Sequence, residues 1–164
     1  MKIRRAAQED FLKVHRFTAE CLPSETYPEH VYKIILRYFG DCCFICEEND
    51  SIVGSVMGIV PLNFPGTYFL WQIGVSPLHQ GKGIGKKLLM KVEEELKRMK
   101  FTRIEATIDP VNLASQKLFL KMGYKNISEK VGKTIKVEGK AAVQDYYNPG
   151  RHFMVYEKQI HQNL

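Results

Sequence analysis

The chain predicts a mixed α/β fold with one central sheet, and three stretches predict it. Phe69 to Val75 reads as a strand, with Trp71, Ile73 and Val75 on one face at period two. From Ile84 the period changes: Ile84, Leu88, Leu89, Val92, Leu96 and Met99 recur at three- and four-residue spacing, the apolar stripe of a long helix. Thr102 to Ile108 then alternates as a strand again. Strand, amphipathic helix and strand in succession place a helix against a sheet.

The remaining elements follow in order. Residues 2–6 form a short first strand, and Gln8-Glu9-Asp10 opens a helix with acids at its favourable end. Phe11, Leu12, Val14, His15 and Phe17 carry that helix to about Cys21. Pro23 and Pro28 interrupt the chain around Ser24-Glu25-Thr26-Tyr27. A second helix with Val31, Ile34, Ile35, Tyr38 and Phe39 ends at Gly40. Strands at 42–47 and 51–60, joined by Glu48-Asn49-Asp50, read as a hairpin, and strand 67–75 completes an antiparallel meander. Ser76-Pro77 ends it, since proline has no N–H for the ladder. After the helix at 84–100 and the strand at 102–108 comes a helix at 112–122, closed by Gly123. Strand 124–131 and a last strand at 151–160 follow. Residues 132–150 are the least periodic, and Asp145-Tyr146-Tyr147-Asn148-Pro149-Gly150 reads as a turn carrying two aromatics.

Composition bounds the function. At 164 residues the chain is expected to be one domain over 1–164, large enough to bury a core without disulfides or a structural metal. No apolar run reaches the roughly 18 residues of a membrane span, and residues 1–10 lack the apolar core of a signal peptide. A cytoplasmic protein with no membrane contact is expected. The net charge of +6 is spread along the chain without a long basic run, so no nucleic-acid partner is expected. Cys43-x-x-Cys46 has the letters of a metal site. Residues three apart on a strand point to opposite faces, however, so buried free thiols and no metal are expected.

The chemistry concentrates at Gln80-Gly81-Lys82-Gly83-Ile84-Gly85-Lys86-Lys87. A glycine-rich turn that opens a helix aims several unpaired N–H groups at one spot, where the helix dipole also favours an anion. Lys82, Lys86 and Lys87 add positive charge. A phosphate-bearing ligand is expected here. A Walker A loop is excluded, because Gln80 stands where its first glycine belongs and Lys87 where its Ser or Thr belongs. A dinucleotide fingerprint fails as well, because Lys86 or Leu88 occupies its third glycine position.

What fits is Gln-x-x-Gly-x-Gly (Gln80, Gly83, Gly85) between a strand and an amphipathic helix. This resembles the acetyl-coenzyme A loop of the GNAT superfamily of N-acetyltransferases. Asn112 to Tyr124 is similar to the second GNAT segment, Asn-x-x-Ala-x-x-Leu-Tyr-x-x-x-Gly-Phe, in the right order and at the right distance. The resemblance covers residues 2 to 158 and is strongest from 69 to 124. It implies a mostly antiparallel sheet, with strands 4 and 5 splayed, flanked by helices. It implies acetyl-CoA as co-substrate and a small-molecule amine as acceptor, on a monomer or homodimer. Ile73, Gly74 and Val75 would take the pantetheine arm. The loop from Gln80 through Gly81, Lys82, Gly83, Ile84 and Gly85 to Lys86 would take the pyrophosphate. Asn112, Ser115 and Phe119 would meet the coenzyme from the facing helix.

Attack on a thioester needs an amine that has lost its proton, donors at the carbonyl oxygen and a proton for the departing thiolate. Many GNAT enzymes carry Tyr at the position of Phe119, and phenylalanine has no proton to give. Tyr124 matches the family's core aromatic, which leaves His152, Tyr156 or water as donors. For the acceptor side the candidates are Gln72, Glu25 and His30, with His152 beside them. Gln72 cannot take a proton but can orient a water, and position 30 carries a histidine, the side-chain type that ordinarily exchanges a proton near neutral pH. A narrower resemblance links Trp71-Gln72 and the segment Thr107-x-x-Pro110-x-Asn112-x-Ala114-Ser115 to diaminobutyrate acetyltransferases, which also have Phe in place of the Tyr. Glu25 and His30 fall where that family has an acidic residue and a tyrosine, and the last third of the chain departs from it. The resemblance leaves two further functions open: transfer to a peptide or protein amine, and acyl-CoA binding without catalysis.

Overall fold

The computed structural model describes residues 1–160, so residues 161–164 of the expected domain lie outside the described residues. The chain divides into two compact units, Met1–Phe101 and Thr102 onward. The fold is mixed α/β, as expected.

In the first unit, β1 (Lys2–Arg5), β2 (Phe44–Glu48), β3 (Ser51–Ile59) and β4 (Thr67–Val75) pair in that order, all antiparallel. The β2–β3 turn puts Asn49 and Asp50 at φ 49° and 61°. Two left-handed residues in succession match the right-handed twist of the strands they join. Three helices complete the unit: α1 (Phe11–Cys21), preceded by a 3-10 turn at Gln8–Asp10, α2 (Glu29–Phe39) and α3 (Ile84–Arg98). Gly40 does not end α2 with a left-handed turn. Its φ is −59°, and the chain runs on into a 3-10 turn at Gly40–Cys42, which is why β2 starts two residues later than expected.

Each face of this sheet is covered. On one, Val14, Tyr32 and Leu36 from α1 and α2 pack with Cys43, Ile45 and Met57. On the other, a Cβ at Gly54 would collide with Ile84 of α3 and crowd Leu88, so only glycine lets α3 lie this close. Leu88, Leu89, Val92 and Leu96 are fully buried there, each contributing about 1.5–3 kcal/mol. Cys43 belongs to the first face. Cys46 pairs with Gly54 across the ladder and so belongs to the second. Burial pushes the Cys43 thiol up to about 12 and Cys42 up to about 11, which leaves them protonated and inert. Arg4 ties β1 to its neighbours. It donates to Asp10 at 2.7 and 2.9 Å and to Glu47 at 2.7 and 2.8 Å, and these bonds hold both carboxyls below their usual range.

One expectation fails on β4. The register passes from Met57↔Gln72 to Gly58↔Leu70, so Trp71 is an extra residue in a β-bulge. The period-two reading placed Trp71 with Ile73 and Val75. Instead Trp71 packs on Tyr27 and Tyr32 at 5.1 and 5.9 Å, the side that Gln72 also faces. Ile73 pairs with Val56 and Val75 with Gly54, on the α3 side.

In the second unit, β5 (Arg103–Ile108), β9 (Arg151–Gln159), β8 (Lys140–Asn148) and β7 (Thr134–Val137) pair in that order, all antiparallel, and the short β6 (Lys125–Asn126) also pairs with β9. The expected strand at 124–131 is cut short. Asn126 Oδ1 accepts from the Ser128 amide at 2.9 Å and from its hydroxyl at 2.6 Å, turning the chain into the single-turn helix α5 (Ser128–Val131). The stretch 132–150, read as aperiodic, is a hairpin. Glu138 and Gly139 make its turn at φ 47° and 77°. Asp145 at φ 52° breaks the β8–β9 ladder between Val143 and Asn148, which erases the alternation from the sequence. β7 has no buried residue and β8 only Ala142 and Val143, so few apolar residues mark a face.

The helix α4 (Leu113–Lys121) ends as expected at Gly123, φ 85°. Tyr124 N–H bonds to Phe119 O, and Gly123 N–H to Leu120 O, both at 3.0 Å. That is a Schellman motif, and the Phe119 and Tyr124 rings, 4.8 Å apart edge to face, supply its apolar contact.

Candidate functional site

The loop from Gln80 to Lys86 lies between a 3-10 turn at Pro77–His79 and α3. Gly81 and Gly83 both sit at φ +77°, a conformation that costs an L side chain about 1–2 kcal/mol. Gly83 is the N-cap of α3, and no side chain caps the helix. The first backbone bond within the helix is from Lys87 N–H to Gly83 O at 3.1 Å. The amides before it are therefore left for a ligand. Of the loop, Gln80, Gly81, Lys82, Gly83 and Lys86 are exposed, Gly85 is half-buried, and only Ile84 turns inward to the core. His79 anchors the preceding turn through Nε2 on Glu48 Oε2 at 2.9 Å, and this bond holds the Glu48 carboxyl below its usual range. Uncapped amides, lysines and a positive dipole end make a cradle for an anion as large as a pyrophosphate.

Just before this turn, β4 carries Ile73, Gly74 and Val75. Gly74 is buried, and a Cβ there would meet Leu22 Cδ1 at 2.7 Å. Leu22 follows α1, so the absence of a side chain at 74 lets the α1–α2 connection lie directly on the strand.

Beyond the bulge, Gln72 and Glu25 are brought together. Gln72 Nε2 donates to the Glu25 carbonyl at 2.7 Å, while the Glu25 side chain is exposed. His30 is in the first turn of α2 and exposed, and no contact joins it to Gln72 among the described hydrogen bonds. Sequence reasoning missed the aromatic neighbours. Tyr27 lies on Trp71, and Tyr32 stacks between Trp71 and His15. The aromatic letters were visible, but the bulge that turns Trp71 toward them was not.

In the second unit, Asn112 caps α4, its Oδ1 accepting from the Ser115 amide at 3.0 Å. Asn112 and Ser115 are half-buried. Phe119 is buried against Tyr124 and Tyr156. The Tyr156 hydroxyl faces Met154 Sδ at 4.0 Å, and burial raises its pKa. His152 Nδ1 accepts from the Asp145 amide at 3.0 Å. That bond occupies the Nδ1 lone pair, and the Asp145 carboxylate lies 3.6 Å from the same nitrogen. Among the described residues no cluster of His, Cys, Asp and Glu can hold a metal ion.

A bulged strand followed by a glycine-rich, uncapped helix start defines a protein that can hold a pyrophosphate-sized anion at the end of a sheet strand. The chain belongs to the acetyltransferase (GNAT) family, whose model matches residues 5–124. It is 35% identical over 98 residues to the L-2,4-diaminobutyric acid acetyltransferase of Shouchella clausii, covering 60% of this chain and 55% of that protein. To the enzyme of that name from Wolinella succinogenes it is 32% identical over 117 residues, 70% of this chain and 68% of the relative. The chain thus spans little more than half the length of the first of these relatives. Its backbone matches the diaminobutyrate acetyltransferase of Paenibacillus lautus, solved with L-2,4-diaminobutyric acid and coenzyme A, at a TM-score of 0.74 and 22% identity, over 99% of this chain and 97% of the other.

Proposed function

We propose that this chain is one N-acetyltransferase domain, working in the cytoplasm, that moves an acetyl group from acetyl-CoA to a primary amine of a small molecule. The observation that carries this reading is the uncapped start of α3 behind Gly81 and Gly83, shortly after β4 ends at Val75. The names of the relatives favour an acceptor of the diamino acid kind. The amides of Gly81 to Lys86 are proposed to bind the pyrophosphate, with Lys82 and Lys86 adding charge. Ile73, Gly74 and Val75 are proposed to bind the pantetheine arm. By the family pattern, Asn112 and Ser115 are proposed as further coenzyme contacts. Trp71, Gln72, Glu25 and His30 are proposed for the acceptor side.

In the reaction, the deprotonated amine forms a bond to the acetyl carbon, the carbon–sulfur bond breaks, the nitrogen gives up one N–H proton as the amide forms, and the thiolate takes up a proton. Holding the two reactants in line supplies much of the rate. Phe119, buried and without a hydroxyl, supports a second reading in which the chain binds acyl-CoA but does not turn it over. Release of free coenzyme A from acetyl-CoA, measured against a panel of amines that includes L-2,4-diaminobutyrate, tests both. The enzyme reading expects amine-dependent release. Release no faster than in buffer with every amine leaves the binding module.

A further inference from the structure

The segment 22–28 joins α1 to α2 and lies over the bulge in β4 without any ladder bonds among the described residues. Its fastenings are made by side chains. Gln72 Nε2 donates to the Glu25 carbonyl at 2.7 Å, the Tyr27 ring tilts onto Trp71 at 5.1 Å, and the Tyr27 amide donates to the Tyr32 hydroxyl at 3.2 Å. Bonds that stay inside the segment, from the Glu25 amide and the Thr26 hydroxyl to Leu22 O, shape it but do not attach it. Pro23 and Pro28 bracket it.

Gln72 is 3% exposed, and its Oε1 is buried with no donor among the described residues. The amide cannot turn round to relieve this. A backbone carbonyl only accepts, so the end that faces Glu25 must be the NH₂. Rotating the oxygen toward solvent would break the 2.7 Å bond. A buried amide oxygen without a donor is costly, and that cost is recovered when a ligand supplies one.

We propose that Gln72 has two tasks: Nε2 clamps the segment 22–28 onto β4, and Oε1 is kept for an N–H of the bound amine. The inference rests on the N-acetyltransferase reading and adds a requirement to it. A deprotonated primary amine has a lone pair and two N–H groups. Donating one N–H to a fixed oxygen restricts where the lone pair points, whereas a carboxylate in the same place has nothing to donate.

The test compares Gln72→Met, which loses both tasks, with Gln72→Glu, which keeps an oxygen but cannot donate to Glu25 O. Steady-state kinetics give KM for the amine and for acetyl-CoA, and a glutamate-specific protease reports on cleavage after Glu25. For Gln72→Met the amine KM rises about tenfold or more, the acetyl-CoA KM stays within about twofold, and cleavage speeds up severalfold. For Gln72→Glu cleavage speeds up equally, but the amine KM rises less. Tyr27→Ser, on the exposed side of the same segment, serves if the buried substitutions fail to fold, and shows the same split between the two KM values. Equal rises in both KM values, or unchanged amine KM and cleavage in Gln72→Met, overturn the proposal. If the parent protein acetylates no amine, the enzyme reading fails on its own. Cleavage then still decides the clamp, and an unaltered rate in Gln72→Met rejects it.

Discussion

The middle of β4 and its C-terminal end are built from different materials. Toward Val75 the strand runs into the proposed coenzyme cradle, which is made of backbone: left-handed glycines at 81 and 83 and an uncapped helix start. At Trp71 it meets the proposed acceptor side, which is made of side chains: a bulged indole, a buried amide, and a segment held by single hydrogen bonds. A backbone cradle requires glycine at fixed spacing, so it leaves a motif in the sequence. A side-chain pocket asks only that some group arrive at some point, and many sequences can arrange that. The coenzyme side is therefore legible and the acceptor side is not.

The largest effect expected is at Gly83. Gly83→Val places a β-branched side chain at φ +77°, where the backbone cost alone is about 1–2 kcal/mol, and fills the space above the helix amides. Melting and coenzyme titration on one preparation should show a modest loss of stability and a loss of measurable acetyl-CoA binding. A variant that is less stable yet binds with parental affinity once folded would reduce Gly83 to a turn residue and break the comparison at its backbone end.

A smaller effect is expected at Phe119. The ring is buried as the apolar contact of the α4 terminus, with Tyr124 and Tyr156 around it. Phe119→Tyr would bury a hydroxyl among apolar neighbours, costing about 1–3 kcal/mol. It should leave turnover within a few-fold of the parent at saturating acetyl-CoA. A rise of about a hundredfold, the low end for a positioned general acid, would show that the site lacks an acid its geometry accepts. It would also return Phe119 from the core to the reacting atoms.

The elements that were legible share a cause with the coenzyme loop. The stripe of α3, the alternation of β5 and the glycine stop of α4 each express a period or a backbone conformation that few residues satisfy. What was missed depends on single local bonds. Asn126 folding back onto Ser128 converts a strand into a helical turn. Asp145 in the left-handed region hides β8, and the extra residue at Trp71 reverses the face of an aromatic. A period cannot report any of these, because each is an exception to one. Among the proposed site residues, Gln72 and Glu25 are joined through the Glu25 backbone carbonyl, a contact that no residue type in the sequence announces. His30 lies exposed in the first turn of α2.

The central claim is that the Gln80–Lys86 cradle selects a coenzyme. Thermal unfolding of the unmodified protein with acetyl-CoA, and with ATP and NAD in parallel at equal concentration, tests it most directly. A ligand bound only by the folded state adds about 2.7 kcal/mol at a hundredfold excess over its dissociation constant. The account predicts a clear rise in melting temperature with acetyl-CoA and little change with the other nucleotides. A melting curve unmoved by millimolar acetyl-CoA, or moved equally by all three, would contradict it.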